Sequence, residues 1–306
     1  MSEEKKSVFV VVGANGPIGA AFCKAFKADG REVLEVSHAP GPNQLKYDFL
    51  TDAPESLGFK KDIDYVLLLC SGYSNLADCR RNPDISHRFN VVAPQALLAY
   101  AGNFSVVPVF LSSDNVFDGT KVGYDEAALP NPLNLYGEQK LAVEEFIRAR
   151  FEQHLVLRSS KVLGYTSESW VVRQLHELAA HRQILCFTDR HYAPVFVNDI
   201  PEFVMKAVGL KNSGTFHIAQ DALTTPFEIM SVVMRGLNLP TEPVVPGVMA
   251  DVKFVEPHPP HTYLLNGKAK RMTGMRFTSL EGFVSGFANM GQYGELTGTE
   301  NFQIKG

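Results

Sequence analysis

The stretch Val8-Phe9-Val10-Val11-Val12-Gly13-Ala14-Asn15-Gly16-Pro17-Ile18-Gly19 decides how this chain folds. Five apolar residues in a row, four of them valine, read as a strand buried on both faces. A glycine turn follows at once. Pro17–Ala28 then takes helical spacing, with Ile18, Phe22, Ala25 and Phe26 on one face and Gly30 as the stop. Strand, glycine turn and helix in that order make a phosphate cradle. Gly13 permits the tight turn, Gly16 lets a pyrophosphate approach the backbone, and Gly19 lets the helix pack against the sheet. Pro17 suits a first helical turn, where an N–H has no partner within the helix anyway. The remaining N–H groups and the helix dipole favour phosphate oxygens.

Working outward, Glu32–Val36, Tyr65–Leu69, Val106–Leu111 and Leu155–Arg158 read as further strands, and Pro83–Ala101 and Leu135–Phe151 as helices. This alternation predicts an α/β fold with a doubly wound parallel sheet. The pattern changes after Gly164. Helical stretches at Trp170–His181, Ile200–Val208 and Pro226–Leu237 mix with strands at Ile184–Phe187 and Thr215–Ile218, and prolines cluster at 240–246 and 257–260. The expected organisation is a dinucleotide-binding domain over 1–164 and a smaller C-terminal α/β substrate lobe over 165–291, with the chain crossing back. A polar tail, expected to be mobile, covers 292–306.

The 306 residues are 45% apolar and 20% charged, the balance of a folded globular chain. The formal charge is −4, from 29 basic and 33 acidic residues, so no basic field points to nucleic acid or an anionic membrane. No apolar run approaches the roughly 20 residues that span a bilayer. Cys23, Cys70, Cys79 and Cys186 form no CxxC pair and sit near no histidine cluster, so no metal site is read. So few cysteines, with no signal-like segment ahead of the first strand, read as a cytoplasmic protein.

Tyr136-Gly137-Glu138-Gln139-Lys140 places a phenol and an ammonium on one helical face. A phenol is a poor base at its usual pKa of about 10. A cation held close favours phenolate, so the pair can move a proton near neutral pH. Leu111-Ser112-Ser113-Asp114-Asn115-Val116-Phe117-Asp118-Gly119 ends an apolar strand, where open α/β sheets bind ligands. A serine there, Ser113, can donate to a carbonyl oxygen as charge develops on it.

The GxxGxxG spacing of Gly13, Gly16 and Gly19 resembles the extended short-chain dehydrogenase/reductase superfamily, with its Rossmann fold. The SSDxVFDG segment and Asn131-Pro132-Leu133-Asn134-Leu135-Tyr136-Gly137 with Lys140 are similar to the dTDP-4-dehydrorhamnose reductase family. That signature is shared by sugar-nucleotide reductases and by the regulatory β subunit of methionine adenosyltransferase. The likeness runs over roughly residues 7–290. It includes Asn82-Pro83 with Phe89-Asn90-Val91, then Leu157–Gly164, Asp189–Pro194 and His258-Pro259.

Carried over, the resemblance implies a catalytic triad of Ser113, Tyr136 and Lys140. Around the phosphates it implies cofactor contacts from Gly13, Asn15, Gly16, Pro17, Ile18 and Gly19. Asp48 and Phe49 would stand on the adenine side, and Cys70, Ser71 and Gly72 would line the cleft after the Tyr65–Leu69 strand. Ser160, Tyr136 and Lys140 would stand at the nicotinamide end. An acid usually reads the ribose hydroxyls at the end of the second strand. Here that position holds Ser37, followed by His38, and Glu35 falls two residues early. The missing acid leaves room for a 2′-phosphate, so the reading favours NADP, with NAD the alternative. On the substrate side the resemblance implies Asn115, Val116, Phe117, Lys161, Tyr192 and His258. The departures lie here. Lys161 stands where the reductases usually carry tryptophan. Tyr192 and Val195 replace a small and a hydroxyl residue, and His258 replaces an arginine.

The implied activity is hydride transfer to a ketone, most readily a nucleotide-activated 4-keto-6-deoxy sugar. Two alternatives stay open. One is a regulatory subunit that holds NADP without consuming it. The other is an epimerase or natural-product ketone reductase of the same superfamily. Dehydration is disfavoured, because Asp114-Asn115 supplies one acid where dehydratases usually carry two. Extended members commonly pair through the helices matching Pro83–Ala101 and Leu135–Phe151, so a homodimer is expected.

Overall fold

A computed structural model describes residues 7–289. The readings made for Met1–Lys6 and for the 292–306 tail lie outside the described residues. The first half runs β1 (Ser7–Val12), α1 (Pro17–Ala28), β2 (Glu32–Ser37), β3 (Leu45–Lys46) and β4 (Asp64–Leu69). It continues α2 (Leu76–Arg81), α3 (Pro83–His87), α4 (Ala93–Ala101), β5 (Ser105–Ser113), α5 (Leu135–Arg150) and β6 (Leu155–Ser159). There follow β7 (Val162–Leu163), α6 (Trp170–Ala179), β8 (Ile184–Phe187), β9 (His191–Tyr192), β10 (Val195–Phe196) and α7 (Asp199–Gly209). The last elements are β11 (Gly214–His217), α8 (Pro226–Gly236), β12 (Val244–Gly247), β13 (His261–Thr262), α9 (Gly267–Thr273) and α10 (Leu280–Asn289).

Seven strands form one parallel sheet in the order β3-β2-β1-β4-β5-β6-β11. The winding direction reverses between β1 and β4, and in such sheets the crevice beyond the strand C-termini at that point is where ligands bind. The unbroken apolar run of β1 follows from cover on both faces. Val8, Val10 and Val12 pack with Leu97 and Leu98 of α4 and Val143 and Ile147 of α5. Phe9 and Val11 pack with Phe22 and Phe26 of α1 and with Ile200, Phe203 and Val204 of α7. Full burial of one such side chain is worth about 1.5–3 kcal/mol. α7 and β11, from the second half of the chain, thus join the large sheet.

The helix expected over 83–101 is present with a change in its middle. Arg88–Val92 forms a π turn, in which the Ala93 N–H reaches the Arg88 carbonyl. Such bulges recur near functional sites. Here buried Asn90 lies in it and clamps the loop after β4. It accepts from the Tyr73 N–H (2.8 Å), donates to the Tyr73 carbonyl (2.8 Å) and donates to Gln139 of α5 (2.7 Å). α2 was not anticipated; Asn75 caps it by accepting from the Asp78 N–H at 3.1 Å.

A further core unites α6, α8 and α10 with the parallel β8–β12 pair through Val171, Leu175, Ile229, Val233, Phe283 and Phe287. The β9–β13 pair, His191 opposite His261 and Tyr192 opposite Thr262, joins this region to the end of β5. The joint is a hydrogen bond from Thr262 Oγ1 to Asp114 Oδ2 at 2.5 Å.

Candidate active site

The glycine turn is built by close approach. Gly13 has φ +94°, and its N–H and that of Ala14 both bond the Val36 carbonyl, at 2.9 and 3.0 Å. A Cβ on Gly13 would stand 2.6 Å from Ser71 Oγ, and one on Gly19 would fall inside the Gly13 carbonyl. Pro17 starts α1, and Gly16 lends it no side-chain cap. The first-turn amides of Ile18 and Gly19 are therefore left for an outside acceptor.

Beside the turn, Asn15 is exposed and donates to Ser37 Oγ (3.0 Å) and the Ala39 carbonyl (2.7 Å), fixing the corner after β2. Glu35, two residues before Ser37, forms an ion pair with Lys27 and accepts from Gln44 at 2.9 Å.

Tyr136 lies in the first turn of α5, and its placement follows from its neighbours. Asn134 caps the helix, accepting from the Gly137 N–H at 2.9 Å, and donates to Asn115 Oδ1 at 3.0 Å. A Cβ on Gly137 would fall inside the Asn115 carbonyl, so α5 meets the turn after β5 only because residue 137 is glycine. Lys140, one turn on, is buried. Its Nζ donates to the Leu111 carbonyl at 2.9 Å and lies 5.5 Å from the centre of the Tyr136 ring. Burial pushes Lys140 down to about 8, against the pull of Glu144. Burial and the neighbouring Asp114 charge push Tyr136 well above the usual phenol value. Ser113 Oγ donates to Asp114 Oδ1 at 3.0 Å and accepts from the Asn115 N–H and Nδ2 at 3.2 and 3.1 Å. Burial raises the Asp114 carboxyl, opposed by Thr262 and by the charge of Arg190.

These groups face a cavity of about 310 Å³ that holds Ser113, Tyr136, Lys140, Asn115, Ser160, Lys161 and Tyr192 in its wall. A second cavity, of about 460 Å³, adjoins it and is lined by Gly13, Gly16, Pro17, Ser37 and His38. Ile18, Cys70, Ser71, Gly72, Ser74 and Val162 line both, so the two form one cleft along the C-terminal strand ends.

Several expected residues stand elsewhere. Val116 and Phe117 do not reach the cleft. Both are fully buried, with Phe117 stacked on Tyr124 at 4.3 Å, because the turn after β5 points them into the core. His258 lines neither cavity; its ring packs on Phe254 at 4.2 Å and Nδ1 meets the Glu256 carbonyl at 2.9 Å. Asp48 closes a local turn, accepting from the Leu50 N–H at 2.8 Å. Phe49 is buried against Phe89, which does line the cleft. Gly19 and Asn15 shape the turn without lining either cavity.

Sequence reasoning passed over Ser74, Arg190, Glu168 and Ser169, all in the cleft wall, and read Asp114 only as an acid that dehydratases carry in pairs. Asp114 could have been found from its place beside Ser113. Arg190 lies in the Asp189–Pro194 stretch that carries the family likeness, which marks the segment without singling out this residue, and Glu168 belongs to no periodic or spaced motif. Among the described residues, no three His, Cys, Asp or Glu side chains group as a metal site, and no helix is long and apolar enough to cross a membrane.

The family described as "RmlD substrate binding domain" matches residues 7–289. The chain belongs to this family. Among relatives, a probable low-salt glycan biosynthesis reductase of Haloferax volcanii is 27% identical, over 79% of this chain and 84% of that one. The methionine adenosyltransferase 2 subunit beta of Xenopus tropicalis is 26% identical, over 78% and 74%. The dTDP-4-dehydrorhamnose reductase of Bacillus anthracis, solved in complex with NADP, superposes with a TM-score of 0.80 at 20% identity, over 94% of this chain and 100% of that one. The α/β fold with a doubly wound parallel sheet is thus that of the RmlD family.

Proposed function

We propose that this chain is an NADPH-dependent reductase of a carbonyl group, its substrate a nucleotide-activated keto sugar. The observation that carries the reading is the single cleft. Ser113, Tyr136 and Lys140 line one end, and the glycine turn lines the other.

The residues present fit a dinucleotide. The Ile18 and Gly19 amides suit the pyrophosphate. Ser37 and His38, with Glu35 engaged by Lys27 and Gln44, suit a 2′-phosphate better than an acid would. Lys140 and Tyr136 suit the ribose at the nicotinamide end. When bound, the reduced nicotinamide supplies a hydride to the carbonyl carbon. Tyr136, held as a neutral phenol, gives its proton to the carbonyl oxygen. The charge of Lys140 stabilises the phenolate that remains until solvent restores the proton. Ser113 donates to the same oxygen as it gains charge, which requires its hydroxyl hydrogen to turn from Asp114 to the substrate. Two copies pairing through α3–α4 and α5 belong to the same reading, supported by Ile85 and Val92, each 50% exposed on that side.

A second reading, a subunit that holds NADP without turnover, is favoured by the near-equal identity to the methionine adenosyltransferase subunit. One experiment separates them. NADPH oxidation is followed with a panel of nucleotide-linked 4-keto sugars, alongside Tyr136→Phe. The reductase reading expects turnover that falls by about 10²–10⁴ in the variant. Tight NADPH binding with no turnover on any ketone would transfer the case to the regulatory reading.

A further inference from the structure

Two cations in the cleft form no ion pair with any of the described residues. Lys161 follows β6 and Arg190 precedes β9, and both line the cavity that holds Ser113 and Tyr136. Neither lines the adjoining cavity at the glycine turn, so the phosphates of a dinucleotide there are not their natural partners. Among the described residues, neither takes part in an ion pair. Arg190 Nε is buried without a hydrogen-bond partner. What each does touch is an aromatic face: Lys161 lies 5.8 Å from the Trp170 ring and Arg190 5.8 Å from the Tyr192 ring.

The nearby acid does not balance them. Asp114 already accepts from Thr262 at 2.5 Å, Ser113 at 3.0 Å and Asn115 at 3.0 Å. At most it offers one negative charge to two positive ones. Burial and repulsion from Arg190 push Lys161 down to about 8, against the pull of Asp114. A charge taken from water stays costly until it is paired. Asp114 adjoins Ser113 in sequence and feels the charges of both cations. Both share one cavity wall with Ser113 and Tyr136, the end of the cleft where the reacting group would lie.

We propose that Lys161 and Arg190 bind a carboxylate on the sugar ring of the substrate, beside the carbonyl that is reduced. A planar guanidinium matches a carboxylate with two parallel hydrogen bonds, and the ammonium adds a point charge. The substrate class is then a nucleotide-linked uronic acid derivative in place of a 6-deoxy sugar. This rests on the proposed function only in calling the ligand a substrate.

The test is a binding measurement that needs no turnover. The NADP-loaded protein is titrated by calorimetry with UDP-glucuronate and with UDP-glucose, which differ at the ring by a carboxylate against a hydroxymethyl group. The expected result is at least tenfold tighter binding of the glucuronate, with the ratio falling toward one in Lys161→Met and in Arg190→Gln. Equal affinities, a ratio that survives both substitutions, binding of neither ligand, or an equal loss of both would each overturn the proposal. The equal loss would place the cations on the diphosphate. This preference together with no NADPH oxidation on any nucleotide-linked 4-keto sugar would defeat the reductase reading and leave the carboxylate site standing. The ligand-free Lys161→Met variant is also expected to melt no lower than the wild type, since burial and the charge of Arg190 outweigh the pull of Asp114 on its ammonium. A clear fall would show that an internal acid already balances the Lys161 charge and would overturn the proposal.

Discussion

Lys140 carries the electrostatics of the catalytic end. It is buried, it donates to a neutral carbonyl, and the carboxylate that supports its charge, Glu144, is shared with Arg158 and Arg148. The balance leaves its pKa lowered to about 8 from an ordinary 10.5. The sign for activity follows. Below about 8 the ammonium is present and stabilises the phenolate formed as Tyr136 gives up its proton. Above it the charge is lost while Tyr136 is still protonated. The expected profile of kcat/KM for reduction is a plateau that falls roughly tenfold per pH unit once pH passes about 8. A profile flat to pH 10 would remove Lys140 from this role.

At the scale of the element, the first turn of α5 is where sequence becomes catalytic geometry. Asn134 ties three things together: the Gly137 N–H, Asn115 in the turn after β5, and the Pro257 carbonyl at 3.1 Å. Losing an asparagine N-cap costs about 1 kcal/mol. Asn134→Ala is expected to lower stability by about that amount in chemical denaturation. It also frees the turn that carries Tyr136, so kcat should fall further than the lost stability accounts for while the NADPH Kd changes little. A weakened Kd with kcat intact would mean that the cap only supports the fold. The π turn at Arg88–Val92 acts in the same way on the other wall, since Asn90 holds the loop that contributes Gly72 and Ser74 to the cleft.

Across the whole molecule, the cleft is walled by segments far apart in the chain: 13–18, 37–38, 70–74, 111–115 and 136–140 from the first half, and 159–169 with 190–197 from further on. A ligand that touches several of them binds the folded state and has no counterpart site in the unfolded chain. NADPH at about 100 times its Kd is therefore expected to add about 2.7 kcal/mol to the stability, read as a rise in the melting midpoint. No rise at a concentration that saturates the protein would mean that the nucleotide sits outside this cleft.

The local parts of the protein were determined by the sequence itself. The valine run, the glycine turn, the helix after it and the phenol–ammonium pair each depend on residues within a few positions of one another, and backbone sterics and apolar period settle them. The strand alternation was legible for the same reason, and with it the doubly wound sheet. What only the tertiary structure decided depends on neighbours distant in the chain. Val116 and Phe117 belong to a binding motif by order, yet the turn after β5 sends them into the core. His258 is near the site in sequence pattern and outside its wall in space. β11 joins the large sheet because its edge pairs with β6, which no local period announces. Arg190 reaches the cleft because β9 pairs with β13 and Thr262 on β13 bonds Asp114. Burial and charge, the quantities that turn a list of polar residues into a site, are properties of the packed molecule and have no local signal in the chain.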